Sequence, residues 1–223
     1  MNILSGLLIL SCLFLLGSNR LLVSVRMMAF QGMVLGLLPF IPQGGVPDPG
    51  AWFIGATGFI LKGIILPVFL GQVLSRSSIR REIEPFVGYF FSIIVGIGLL
   101  GLSCWVSLTL AAAGPRVDIL LLTAAFTLLF VGLFLIVSRR KAITQALGYL
   151  VMENGVYAAS LGFGRELHDL VELGILLDVF VGVFLMGILL FHINREFDHI
   201  DADRFTELRD LDPLEAEKGG DER

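Results

Sequence analysis

Long unbroken apolar runs alternate along the chain with short polar stretches. Seven runs of about 20 residues can be drawn, the length that crosses a bilayer as a helix. They cover roughly 2–19, 22–42, 51–74, 85–112, 117–138, 141–163 and 169–193. An open strand cannot satisfy its backbone in lipid, so each run is expected to be a helix. The pattern predicts an all-α, polytopic integral membrane protein with seven transmembrane helices over 1–193, followed by an acidic cytoplasmic tail over 194–223. Breaks between runs have their own chemistry. The first two runs are separated by little more than Arg20, Gln43 to Gly50 is rich in turn formers, Ser75 to Pro85 is charged, and Gly114-Pro115 stops the fourth run. No internal repeat of the kind that many transporters carry is visible.

The first run, Ile3 to Gly17, has no Lys or Arg before it, and its first basic residue, Arg20, comes after it. That is the reverse of a signal peptide's charge order, so it is expected to be a retained first span. Basic residues alternate by side. Arg20 and Arg26, then Arg76, Arg80 and Arg81, then Arg139, Arg140 and Lys141, and five in the tail fall on one side. Only Arg116 and Arg165 fall on the other, with Lys62 left inside the membrane. The positive-inside bias then predicts an outside N-terminus and a cytoplasmic C-terminus in a bacterial or archaeal cytoplasmic (inner) membrane.

Composition sharpens this picture. The 223 residues are 56% hydrophobic and 16% charged, where a soluble domain has about a quarter charged. The formal net charge is −4, and the tail alone holds eleven acidic and five basic residues. The membrane part is therefore slightly positive, and nucleic acid is not an expected partner. Cys12 and Cys104 both lie in apolar runs, with no CxxC or Cys/His spacing for zinc or an iron–sulfur cluster. No metal site and no catalytic residue is expected on this chain.

The candidate chemistry is the charge inside the spans. Glu153 lies near the middle of the sixth run, more than about 10 Å from either end at 1.5 Å per residue. Lys62 is equally central in the third run, and Asp178 sits on the outer half of the seventh. Intramembrane ionisable groups are costly, and by default they mark a functional path. Lys62 and Glu153 could each offset the other's cost, and either could carry a proton. Lys62, Glu153 and Asp178, from three helices, are thus read as a proton-translocation track. Glu172 stands near the outer boundary, where a carboxylate close to a helix N-terminus is also favourable without any function. Gln31 and Asn154 are supporting polar groups able to hydrogen-bond across helices. His168 and Glu172 share a helix face, but two groups do not make a metal site. Pro67, five residues after Lys62, removes a backbone donor and should loosen that helix. The bland alternative is a structural ion pair that locks helices together.

The segment Ala146-Leu-Gly-Tyr-Leu-Val-Met-Glu-Asn-Gly155, followed by Leu170-Val-Glu-Leu-Gly-Ile-Leu-Leu-Asp178, resembles the E component of hydrogenase-4, a membrane subunit of formate hydrogenlyase and related group 4 nickel–iron hydrogenases. The resemblance extends to Phe30-Gln31, to Phe59-Ile-Leu-Lys62 with Pro67, and to Ile200-Asp201 and Phe205-Thr-Glu-Leu208 in the tail, most of the chain. The last three spans are also similar to the K-type subunit of respiratory complex I and its counterpart in multisubunit cation/proton antiporters. Glu153 and Asp178 stand where that subunit has one carboxylate in each of two helices, the second being Asp here rather than the usual Glu. The resemblance implies a non-catalytic membrane subunit between antiporter-like and other membrane subunits and a cytoplasmic redox arm, which the tail could dock. Nickel–iron and iron–sulfur centres would belong to partner subunits. A structural scaffold of the same assembly, or a subunit of a cation/proton antiporter, is the alternative that these residues leave open.

Overall fold

The computed structural model describes residues 1–41, 49–76, 87–113, 118–139 and 142–163, together with isolated positions at 180, 182, 183 and 187. In chain order the helices are α1 (Asn2–Gly17), α2 (Leu21–Leu37), α3 (Pro49–Ile60), α4 (Leu66–Arg76), α5 (Tyr89–Ala113), α6 (Ile119–Ser138) and α7 (Ala142–Phe163). A 3₁₀ turn, Leu38–Phe40, prolongs α2, and a π-helical segment, Leu61–Ile65, joins α3 to α4 in one continuous rod. Among the described residues there is no strand.

Four of these helical stretches are long and apolar enough to cross a membrane: Leu21–Phe40, Gly55–Gln72, Tyr89–Ala112 and Ile119–Ser138. α1 has only 16 residues. At 1.5 Å per residue that is about 24 Å, short of a hydrocarbon core of about 30 Å. α7 has the length, 22 residues, but Gln145, Glu153 and Asn154 interrupt its apolar character. The seventh expected span, 169–193, and the tail lie outside the described residues, apart from the four isolated positions. The chain is thus an all-helical, polytopic membrane protein in which six helical rods are described.

The ends of the rods follow from local chemistry. Ser18 leaves the helical region at φ −85° and ψ 128°, and its hydroxyl accepts a hydrogen bond from the Arg20 N–H at 3.4 Å. Three residues therefore suffice to turn α1 into α2. Asp118 caps α6, its carboxylate accepting from the Leu121 N–H at 3.0 Å and satisfying a donor that the helix start leaves orphaned. Hydroxyls inside the apolar rods return to their own backbone: Ser103 donates to the Leu99 carbonyl at 2.7 Å, Ser107 to Ser103 at 2.8 Å, and Thr127 to Thr123 at 2.7 Å.

Packing concentrates on α6 and α7, which run side by side along their length. Gly132, Gly148 and Gly155 allow this. A Cβ at Gly155 would come within 2.5 Å of the Leu129 nitrogen, and one at Gly132 would collide with the backbone of Met152. α1 packs on α5, α6 and α2, while α2 packs on the α3–α4 rod and on α7. The core between them is built from Leu8, Leu16, Leu35, Leu122, Leu128 and Val151, all fully buried. α2 is thus placed between the rod that carries Lys62 and the helix that carries Glu153. All of this lies within one compact unit, Met1–Gly182.

Candidate functional site

Lys62 is presented by an irregularity in its helix. An α-helix through this point would need an N–H from residue 67 for the carbonyl of Gly63, and Pro67 has none. The chain answers with the π-helical segment 61–65, in which the Leu66 N–H reaches back five residues to the Leu61 carbonyl. A π-turn of this kind is found frequently at functional sites. Gly32 on α2 seats the segment, since a Cβ there would collide with the Lys62 carbonyl.

The Lys62 side chain runs from this segment to α7. Its Nζ lies 2.7 Å from Oε1 of Glu153, at the short end for a charge-assisted hydrogen bond. The two residues are 4% and 1% exposed. Their charges are therefore taken out of solvent together, which is tolerable only because each is paired. One turn beyond Glu153, Tyr157 is also buried, and Nζ of Lys62 lies 5.8 Å from the centroid of its ring. Gly58, one turn before Lys62, makes room for the Tyr157 hydroxyl. Lys62 and Glu153, predicted from separate runs, are thus brought together.

The remaining expected residues divide into two groups. Gln31 is fully buried, and its Nε2 donates to Ser11 Oγ at 3.0 Å, with Cys12 Sγ at 3.7 Å. It ties α2 to α1. Asn154 is buried beside Glu153 on α7. Asp178 and Glu172 lie outside the described residues. Among the described residues no three His, Cys, Asp or Glu side chains gather where they could hold a metal ion.

Tyr157 and Arg139 are the residues that sequence reasoning passed over. Tyr157 could have been found by its spacing, four after Glu153 and therefore on the same helix face. Arg139 counts in the sequence as one of three basic loop residues, yet it is 2% exposed. Its Nη2 donates to the Leu16 carbonyl at 3.3 Å, at the C-terminal end of α1, and its guanidinium lies 4.7 Å from the Tyr89 ring centroid at the start of α5. The exposed carbonyls of a helix end attract such a cation. Nothing in a basic triplet marks which of its members folds inward.

Residues 120–212 match the family of NADH-ubiquinone/plastoquinone oxidoreductase chain 4L. Glu153 falls inside this chain 4L match and Lys62 outside it. Over nearly its whole length the protein is similar to an uncharacterized protein of Mycobacterium tuberculosis, 28% identical over 207 residues, 92% of this chain and 94% of that one. It is also similar to hydrogenase-4 component E of Escherichia coli K12 and of Shigella flexneri, 35% identical in each case over 78 residues. That likeness covers 35% of this chain and 36% of the relative, a narrower span than the motifs that carry the resemblance. No solved structure matches the chain.

Proposed function

We propose that this chain is a non-catalytic membrane subunit of a complex I-like assembly of the group 4 hydrogenase kind, and that its buried lysine–glutamate pair is a step in a proton path. The observation that carries the reading is the Lys62–Glu153 contact itself, 2.7 Å long and removed from solvent in the middle of two helices. A carboxylate and an amine in contact can pass a proton between them or exchange it with a third group, and a dry site makes their charge states sensitive to any charge that changes nearby. Redox chemistry in partner subunits would supply that change. The chain 4L match over α6 and α7 and the likeness to hydrogenase-4 component E support the setting. Asp178 and Glu172 would continue the path toward the outer side, with water bridging gaps too long for direct transfer. The acidic tail would meet a cytoplasmic redox arm, and nickel–iron and iron–sulfur centres would reside in partners.

The test uses the complex that co-purifies with an affinity-tagged chain, reconstituted into liposomes. A potassium diffusion potential drives proton uptake, read from trapped pyranine. Glu153→Gln keeps the shape of the side chain and one acceptor oxygen for Lys62 but removes its titration. It should slow uptake by at least about tenfold while the complex assembles normally. Uptake at the wild-type rate would remove the reading. The tight geometry of the pair also supports a scaffold, in which it only locks α7 to the α3–α4 rod. In that case Glu153→Gln would change assembly or nothing at all.

A further inference from the structure

Tyr157 has no part in the relay as stated, yet it stands beside it. The residue is 3% exposed, one turn after Glu153 on α7. Its ring centroid lies 5.8 Å from Nζ of Lys62, within the range at which an aromatic face attracts a cation. Space for the ring is built in: a Cβ at Gly58 would lie 3.3 Å from the Tyr157 hydroxyl oxygen. The Lys62 ammonium therefore has two neighbours on α7, a carboxylate oxygen at 2.7 Å and an aromatic ring.

These two neighbours differ in one property that matters to a relay. The attraction of Glu153 for Lys62 weakens sharply whenever Glu153 takes up a proton. The quadrupole of the ring does not titrate. An aromatic face beside the ammonium keeps its attraction through that interval.

We infer that Tyr157 is a positioning residue for this pair: its ring keeps the Lys62 ammonium seated while the contact with Glu153 is broken, so that the ion pair can part and re-form in one geometry. The inference rests on the proton-path reading and acts through Lys62, since Tyr157 itself neither accepts nor releases the proton in transit.

The same liposomes test it. Tyr157→Phe keeps the ring face and should conduct within about twofold of wild type, whereas Tyr157→Leu fills similar space without a π face and should be about tenfold slower. Mono-, di- and trifluorinated phenylalanine at this position weaken the ring's attraction for a cation stepwise with little change in shape. Proton uptake should fall in the same order, which a merely space-filling role would not produce. Native gels report assembly of each variant, and the fluorinated series decides alone if the leucine variant does not assemble. A flat fluorinated series, or a leucine variant as fast as wild type, overturns the positioning role. Run beside them, Glu153→Gln separates the two claims. If it is slow while the fluorinated series is flat, the relay stands and Tyr157 is dismissed; if it is as fast as wild type, the relay falls and the positioning role falls with it.

Discussion

At the scale of single residues, the pair between Lys62 and Glu153 stabilises the fold less by its own attraction than by the penalty for breaking it. Two charges removed from water roughly recover their desolvation cost when they meet at hydrogen-bond distance. Removing one partner takes from the other its contact at hydrogen-bond distance. Lys62→Met is therefore expected to cost about 3 kcal/mol, seen as a lower thermal midpoint of the detergent-extracted protein. Adding Glu153→Leu should recover at least half of that loss, because the buried carboxylate is then gone. Strictly additive losses would show that the two side chains are not coupled. Arg139 makes a different kind of contact. Its guanidinium lies near the Tyr89 ring and donates to the Leu16 carbonyl. Lysine cannot reproduce that planar fork. Arg139→Lys should lower the thermal midpoint by the equivalent of about 1 kcal/mol, with proton uptake per assembled complex unchanged. A loss of uptake at normal stability would move Arg139 into the path.

At the scale of helices, what could be read from the chain and what could not is divided by backbone geometry. Hydrophobic run length locates the helices because lipid leaves the backbone no other partner. The pairing of Lys62 with Glu153 was foreseeable on the same ground, as two costly charges at similar depth. Pro67 announced a weak point in its helix. The form of the answer was not foreseeable, since a missing donor can produce a kink, a bound water or a π-turn, and only packing against Gly32 and Met33 selects among them. Likewise Gly132, Gly148 and Gly155 read as ordinary membrane glycines until α6 and α7 are laid together. Two predictions belong here. Pro67→Ala restores the missing N–H and permits an α-helical register through 61–65, which would turn Lys62 away from Glu153. Proton uptake should then fall about as far as in Lys62→Met, while helix content by circular dichroism stays the same or rises. Gly155→Leu should separate α6 from α7, with loss of assembled complex on a native gel; a variant that assembles at wild-type levels would show that the close approach is dispensable.

At the scale of the whole molecule, the distribution of exposed apolar side chains bears on whether the chain acts alone. α5 is the least covered of the four membrane-crossing stretches. Phe90, Phe91, Ile94, Ile97, Trp105 and Leu108 are exposed along it. In a membrane such a face meets either lipid or another helix, so exposure by itself does not reveal a partner. The charges bear on partners more directly. A buried pair at mid-helix gains a function when something outside the pair alters its protonation. In the proton-path reading that change comes from other chains, which predicts what extraction in mild detergent should yield. The protein should migrate as a particle far heavier than its own 24.4 kDa, with antiporter-like membrane chains and at least one chain bearing paired nickel-ligating cysteines. Mass spectrometry of the co-purifying bands checks this. Antiporter-like chains without a redox partner would point to a cation/proton antiporter, with the Lys62–Glu153 pair driven by an ion gradient. A single band at the mass of the chain would remove the subunit reading and leave the pair as a structural clamp or as part of a free-standing transporter.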